Sequence, residues 1–237
     1  MMKVYDEVIQ TGSALLGEKP ARPLPICPGY PLEKEKVFIF PEDSILDLGG
    51  SNLPSPYLMA YTSSSRLVKE DAVYLIGEDI PNLKGPVPYA HISFLRFEEE
   101  EASKEQELYR LLRNIEYQRY KLYPEGCLIR VNTNRMREGV LVGKDAFSKG
   151  MDFAKLGSLF MDAYKKEKRV RAVVQYFITD PSFPFDKLES LAKRSEGITV
   201  ALDHIMKKLA MDCSTCEFKG ICDEIEGMRE VHKKEAQ

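Results

Sequence analysis

Tyr89-Ala-His-Ile-Ser-Phe-Leu-Arg-Phe97 is followed by Ser103-Lys-Glu-Gln106, which leads into Leu108, Leu111, Leu112 and Ile115. The texture of the chain changes between these two stretches. The first is dense in aromatic and apolar side chains and reads as a strand. The second opens with the pattern of a capping box and then sets leucines at helical spacing, which predicts a helix over about 103–122. Upstream, Val37–Phe40, Ser44–Leu48, Tyr57–Tyr61 and Ala72–Ile76 have the same strand-like character. They are separated by Gly49-Gly50, Pro54, Pro56, Gly77, Pro81, Gly85 and Pro86. Downstream, Cys127–Val131 and Val140–Val142 predict two strands around a basic turn. Phe153, Leu156, Leu159, Phe160 and Ala163 predict a helix capped by Asp152. Val170–Ile178 predicts a strand, Phe185–Glu196 a helix ending at Gly197, and Thr199–Met211 another helix. Strands gather early and helices late. The expected class is α+β, a mixed or antiparallel sheet with helices packed on it, and not a regular βαβ winding.

The remaining segments frame this domain. Pro20, Pro23, Pro25, Pro28 and Pro31 punctuate residues 1–36, an extended arm with a short helix over Lys3–Leu16. Residues 37–211 form the α+β domain and 212–237 a cysteine-rich segment whose charged tail, from Asp223, has the pattern of an amphipathic helix. A net charge of −3 supplies no global field toward nucleic acid or an acidic membrane, so neither is an expected partner. No apolar run reaches the length of a membrane span, and Met1-Met2-Lys3-Val4-Tyr5-Asp6 lacks the apolar core of a signal peptide. The expected compartment is the cytoplasm, where thiols stay reduced.

Three of the five cysteines crowd into Cys213-Ser-Thr-Cys216-Glu-Phe-Lys-Gly-Ile-Cys222. A two-residue gap lets Cys213 and Cys216 face one point, and a bend at Gly220 returns Cys222 toward them. Converging thiolates repel unless a cation holds them, so an iron–sulfur cluster or zinc is the natural occupant. The bland alternative is three idle thiols at a helix junction. For a cluster, the fourth ligand would be Cys27, Cys127, a non-protein group or a cysteine of another subunit. For zinc, His204 or Asp212 would serve. A second constellation is the basic turn, where Arg130, Arg135 and Arg137 precede Lys144, with Asn132 and Asn134 interleaved. Guanidinium groups grip phosphate oxygens two at a time, whereas an ordinary solvated face pairs such arginines with nearby acids such as Glu98–Glu101. Lys165-Lys-Glu-Lys-Arg169 ends a helix, where cations complement the dipole. His91, in an apolar strand, reads as a hydrogen-bonded core or edge residue. No Gly-Lys-Ser phosphate loop, dinucleotide fingerprint or nucleophile elbow is present in the sequence.

Four collinear stretches add a family resemblance. They are Leu48-Gly-Gly-Ser-Asn-Leu-Pro-Ser-Pro-Tyr57, Val73-Tyr-Leu-Ile-Gly-Glu-Asp-Ile80, Val142-Gly-Lys-Asp-Ala146, and the helix between the second and third, followed by a hydrophobic strand and the first cysteine pair. In order and spacing, residues 37–216 resemble the middle domain and the start of the cluster-binding region of the acetyl-CoA synthase β subunit, from the carbon monoxide dehydrogenase/acetyl-CoA synthase complex. The resemblance implies that Cys213 and Cys216 open the ligand set of a [4Fe–4S] cluster, with Cys222 as the third ligand. It further implies that the basic turn, Arg135 above all, faces the phosphates of coenzyme A. It points to one-carbon metabolism of an anaerobe, with a corrinoid protein or subunits of that complex as partners. The family's fourth cluster cysteine and its nickel-binding Cys-Gly-Cys have no counterpart in these 237 residues. Ancestry and fold are therefore implied, but not the complete acyltransferase reaction.

Overall fold

The computed structural model describes residues 2–27, 29–50, 52–98, 105–132, 136–207, 216 and 219–235. Its eight strands, among the described residues, are β1 (Arg22–Leu24), β2 (Ser44–Leu48), β3 (Tyr57–Thr62), β4 (Ala72–Ile76), β5 (Ala90–Phe97), β6 (Cys127–Val131), β7 (Glu138–Gly143) and β8 (Val170–Ile178). The helices are α1 (Asp6–Gly17), α2 (Glu105–Glu116), α3 (Lys144–Ser148), α4 (Phe153–Lys165), α5 (Phe185–Lys207) and α6 (Lys219–Glu235). Five strands form a mixed sheet in the order β1-β4-β8-β5-β3, and three form an antiparallel sheet in the order β2-β7-β6. The class is α+β.

In the large sheet β4 runs parallel to β8, and β3 parallel to β5, while β5 and β8 are antiparallel. Strand alternation sorts the side chains. Phe94 and Leu58 point to one face, where Gly12 lets α1 come close; Val73 and Phe177 point to the other, beneath Gly157 of α4. A Cβ at Gly157 would stand 2.7 Å from Val73 Cγ1, so the absence of a side chain sets the helix-to-sheet distance. The small sheet continues the large one at a corner. The Glu138 amide donates to the Ser55 carbonyl (2.9 Å), and the Tyr57 amide to the Met136 carbonyl (2.8 Å). These bonds tie the start of β7 to the start of β3.

Asp152 caps α4 as its sequence predicts, its carboxylate accepting from the Lys155 amide at 2.8 Å. Asp152→Ala is expected to lower stability by about 1 kcal/mol, read as a fall in the urea midpoint without a change in slope. The 103–122 helix appears as α2 followed by a 3₁₀ turn over Tyr117–Lys121; its capping-box start lies outside the described residues.

Three sequence expectations need correction or refinement. Val37–Phe40 does not form a strand: Phe38 is 82% exposed and Phe40 63%, with Ile39 half-buried beside Gly143. Apolar alternation gives strand propensity, but a strand also needs a ladder partner, and β2 begins only after the turn at Pro41–Asp43. Gly197 does not end a helix, because α5 runs unbroken through it. Ser195 Oγ donates to the Met59 carbonyl, and Thr199 Oγ1 hydrogen-bonds the buried Tyr5 hydroxyl at 2.9 Å. Docking on both sides of Gly197 outweighs its propensity cost of about 1 kcal/mol. Finally, residues 1–36 contribute a docked helix and an edge strand, and the arm-like course is confined to residues beyond Leu24.

Candidate functional site

The corner between the sheets holds a chain of buried polar groups. His91 and Glu138 are both fully buried, with Nδ1 of His91 2.7 Å from Oε1 of Glu138. With Nδ1–H donating to that carboxylate, Nε2 is left to accept from the Ser93 hydroxyl at 3.2 Å. Tyr89 OH donates to the same Glu138 oxygen at 3.3 Å, and Arg119 Nη1 approaches the other at 3.5 Å. Arg119 is itself buried, with its guanidinium carbon 3.7 Å from the centre of the Tyr57 ring and a second carboxylate, Glu116, 3.6 Å from Nη2. Burial alone would raise the Glu138 pKa, but His91, Arg119 and Tyr89 outweigh it and hold the carboxyl below its ordinary value. Burial, partly offset by Arg119, pushes the Tyr57 hydroxyl up to about 12. His91 meets the expectation of a hydrogen-bonded core residue. Its partners were not expected. A signal existed for Arg119, which lies four residues after Ile115 on the apolar stripe of the helix.

The opposite surface of the same strand bears the basic turn. Side chains alternate along the chain here, so Arg137 faces outward while Glu138 faces the core. Arg130 and Arg137 line one cavity of about 280 Å³, together with Gly49, Gly50, Asn52 and Gly139. Gly49 (φ +64°) and Asn52 (φ +70°) turn the chain sharply around it, and a Cβ on Gly49 would meet that of Ser55 at 2.5 Å. Both arginines are braced by the protein. Arg130 pairs with Asp47, and Arg137 donates to Ser55 Oγ (3.0 Å) and to the Leu53 carbonyl (2.8 Å). Lys144 turns elsewhere, to the Glu42 carbonyl (2.8 Å) and Asp43 (3.6 Å). Arg135 lies outside the described residues, as do Glu99–Glu101; Glu98 pairs with Arg171.

Of the clustered cysteines, Cys213 lies outside the described residues, as does Asp212. Cys216 precedes α6, where its carbonyl accepts from the Lys219 amide at 3.2 Å, and Cys222 sits half-buried in the first turn of that helix. Neither is in a disulfide. Cys222 and its neighbour Ile221 pack against the core. Among the described residues, no three His, Cys, Asp or Glu side chains converge as a metal site. Cys127 is buried in β6, and burial pushes its thiol up to about 12, which opposes the thiolate that a metal ligand must present. Cys27 is half-buried, with its amide donating to Ser158 Oγ at 2.7 Å. No described helix is long and apolar enough to cross a membrane. Comparison with known proteins finds no family model that matches the chain and no match among curated proteins.

Proposed function

We propose that this chain is a cytoplasmic relative of the acetyl-CoA synthase β subunit. It carries an iron–sulfur cluster on Cys213, Cys216 and Cys222 and serves one-carbon and corrinoid metabolism, as a subunit or an electron-transfer accessory. The observation that carries this reading is the thiol run itself, with Cys216 and Cys222 bracketing the start of α6. The donor set suits such a group. None of the described thiols is in a disulfide, and the N-terminal end of a 17-residue helix favours negative charge beside them. When bound there, a [4Fe–4S] cluster supplies one-electron chemistry. A position next to a charged tail favours contact with a partner such as a corrinoid protein or the dehydrogenase.

A second reading is a binding module for coenzyme A or a protein partner, with structural zinc on the same thiols. It is favoured by the cavity that gathers Arg130 and Arg137, whose guanidinium groups suit phosphate oxygens. Elemental analysis of protein purified without oxygen separates the two. The cluster reading expects iron with acid-labile sulfide and a paramagnetic signal on reduction, all lost in a Cys213→Ser/Cys216→Ser/Cys222→Ser variant. Zinc without sulfide would establish the second reading, and the absence of both metals would remove each.

A further inference from the structure

We infer that the groove between α2 with its 3₁₀ extension and the end of α4 is a binding site for a small organic anion with a flat apolar body, an aryl carboxylate being the simplest member. This is independent of the cysteine run and of the Arg130–Arg137 cavity. The groove encloses about 410 Å³, within the range of small-molecule sites. Its floor is apolar and fixed: Ile115 and Ala163 are buried, and the buried Tyr164 is held by its hydroxyl against that of Tyr57 at 3.1 Å. At the rim Tyr117 leaves 46% of its surface exposed, a ring available for stacking.

The charges select the ligand's sign. The basic run that closes α4 is mostly spent within the protein: Lys165 pairs with Asp71, Arg169 with Glu167, and Arg171 with Glu98. Lys166 of α4 and Lys121 of the 3₁₀ turn both line the groove, and neither forms an ion pair among the described residues. Glu167 is the carboxylate that also lines the groove, and Arg169 already neutralises it. The carbonyl end of α4 accounts for one cation on its own helix, but not for Lys121 on another. Two ammonium groups above an apolar floor match a carboxylate on a ring.

Ligand-observed NMR titration of the intact protein with benzoate, benzyl alcohol and benzylamine tests the assignment. Benzoate is expected to bind tightest and benzylamine weakest. In Lys121→Glu/Lys166→Glu the order should reverse, with benzoate affinity falling about tenfold, as the loss of two partly exposed ion pairs allows. Both positions are exposed, so circular dichroism should match the parent. Tyr117→Ala should weaken all three ligands alike. Benzoate affinity unchanged by the double reversal, no preference among the three probes, or no benzoate binding would each overturn the proposal.

Discussion

Glu138→Ala is expected to lose about 3–5 kcal/mol of folding stability, a large share of what a domain of this size possesses. The carboxylate is the one acid in direct contact with both His91 (2.7 Å) and Arg119 (3.5 Å) among the described contacts, and all three side chains are shut off from water. Removing it takes one carboxylate from a buried guanidinium, beside which Glu116 remains at 3.6 Å, and leaves an imidazole donor without its acceptor. Glu138→Gln keeps the shape and removes only the charge, so it isolates the electrostatic part. The sign follows from the depressed pKa. In the fold the carboxyl is held below its ordinary 4.5, so the stability it contributes is fully present above that value and drains away as pH falls below it. Urea midpoints taken from neutral pH down through this window should drop steeply in the parent and more gently in Glu138→Gln. Parallel curves would show that charge at this position is not what the acid limb reports.

Phe177→Ala is the second large effect, at about 3–5 kcal/mol. Phe177 is fully buried, with its ring centre 4.8 Å from both the His91 and the Phe153 rings and nearly parallel to each. Gly157 of α4 lies directly over it, so neither the helix nor the sheet can settle inward to fill the space. Denaturation by urea should show a lower midpoint with the slope preserved. Phe177→Leu should recover more than half of the loss, because it refills most of the volume. A Leu variant as unstable as Ala would mean that stacking, and not filling, dominates here.

The strands legible in the sequence were those whose pattern and partner agree. Val170–Ile178 lies between two neighbours along its length, and its apolar content announces that burial. Val37–Phe40 has equal apolar content but no ladder, and nothing local encodes the lack of a neighbour. Gly197 misled for the converse reason, since residues far along the chain, Met59 and Tyr5, hold its helix together. The same limit applies to the site. The outward arginines could be read from a dense local run. Glu138 could not, because it acts with His91 and Arg119, which come from separate elements and meet only at the corner where β3 hands over to β7. Asp47, the partner of Arg130, is likewise 83 positions distant.

The strand order has a consequence for synthesis. β8 fills the gap between β4 and β5, yet it is the last of the described strands to leave the ribosome, pairing Val174 with Ala72 and with Phe94. Until it emerges, the strands of the large sheet can form only two unjoined pairs, β1 with β4 and β3 with β5, each with a bare edge of the kind that recruits chaperones. Assembly of this domain is therefore decided late, and a ribosome that stalls before residue 170 releases an aggregation-prone fragment and not a smaller working unit.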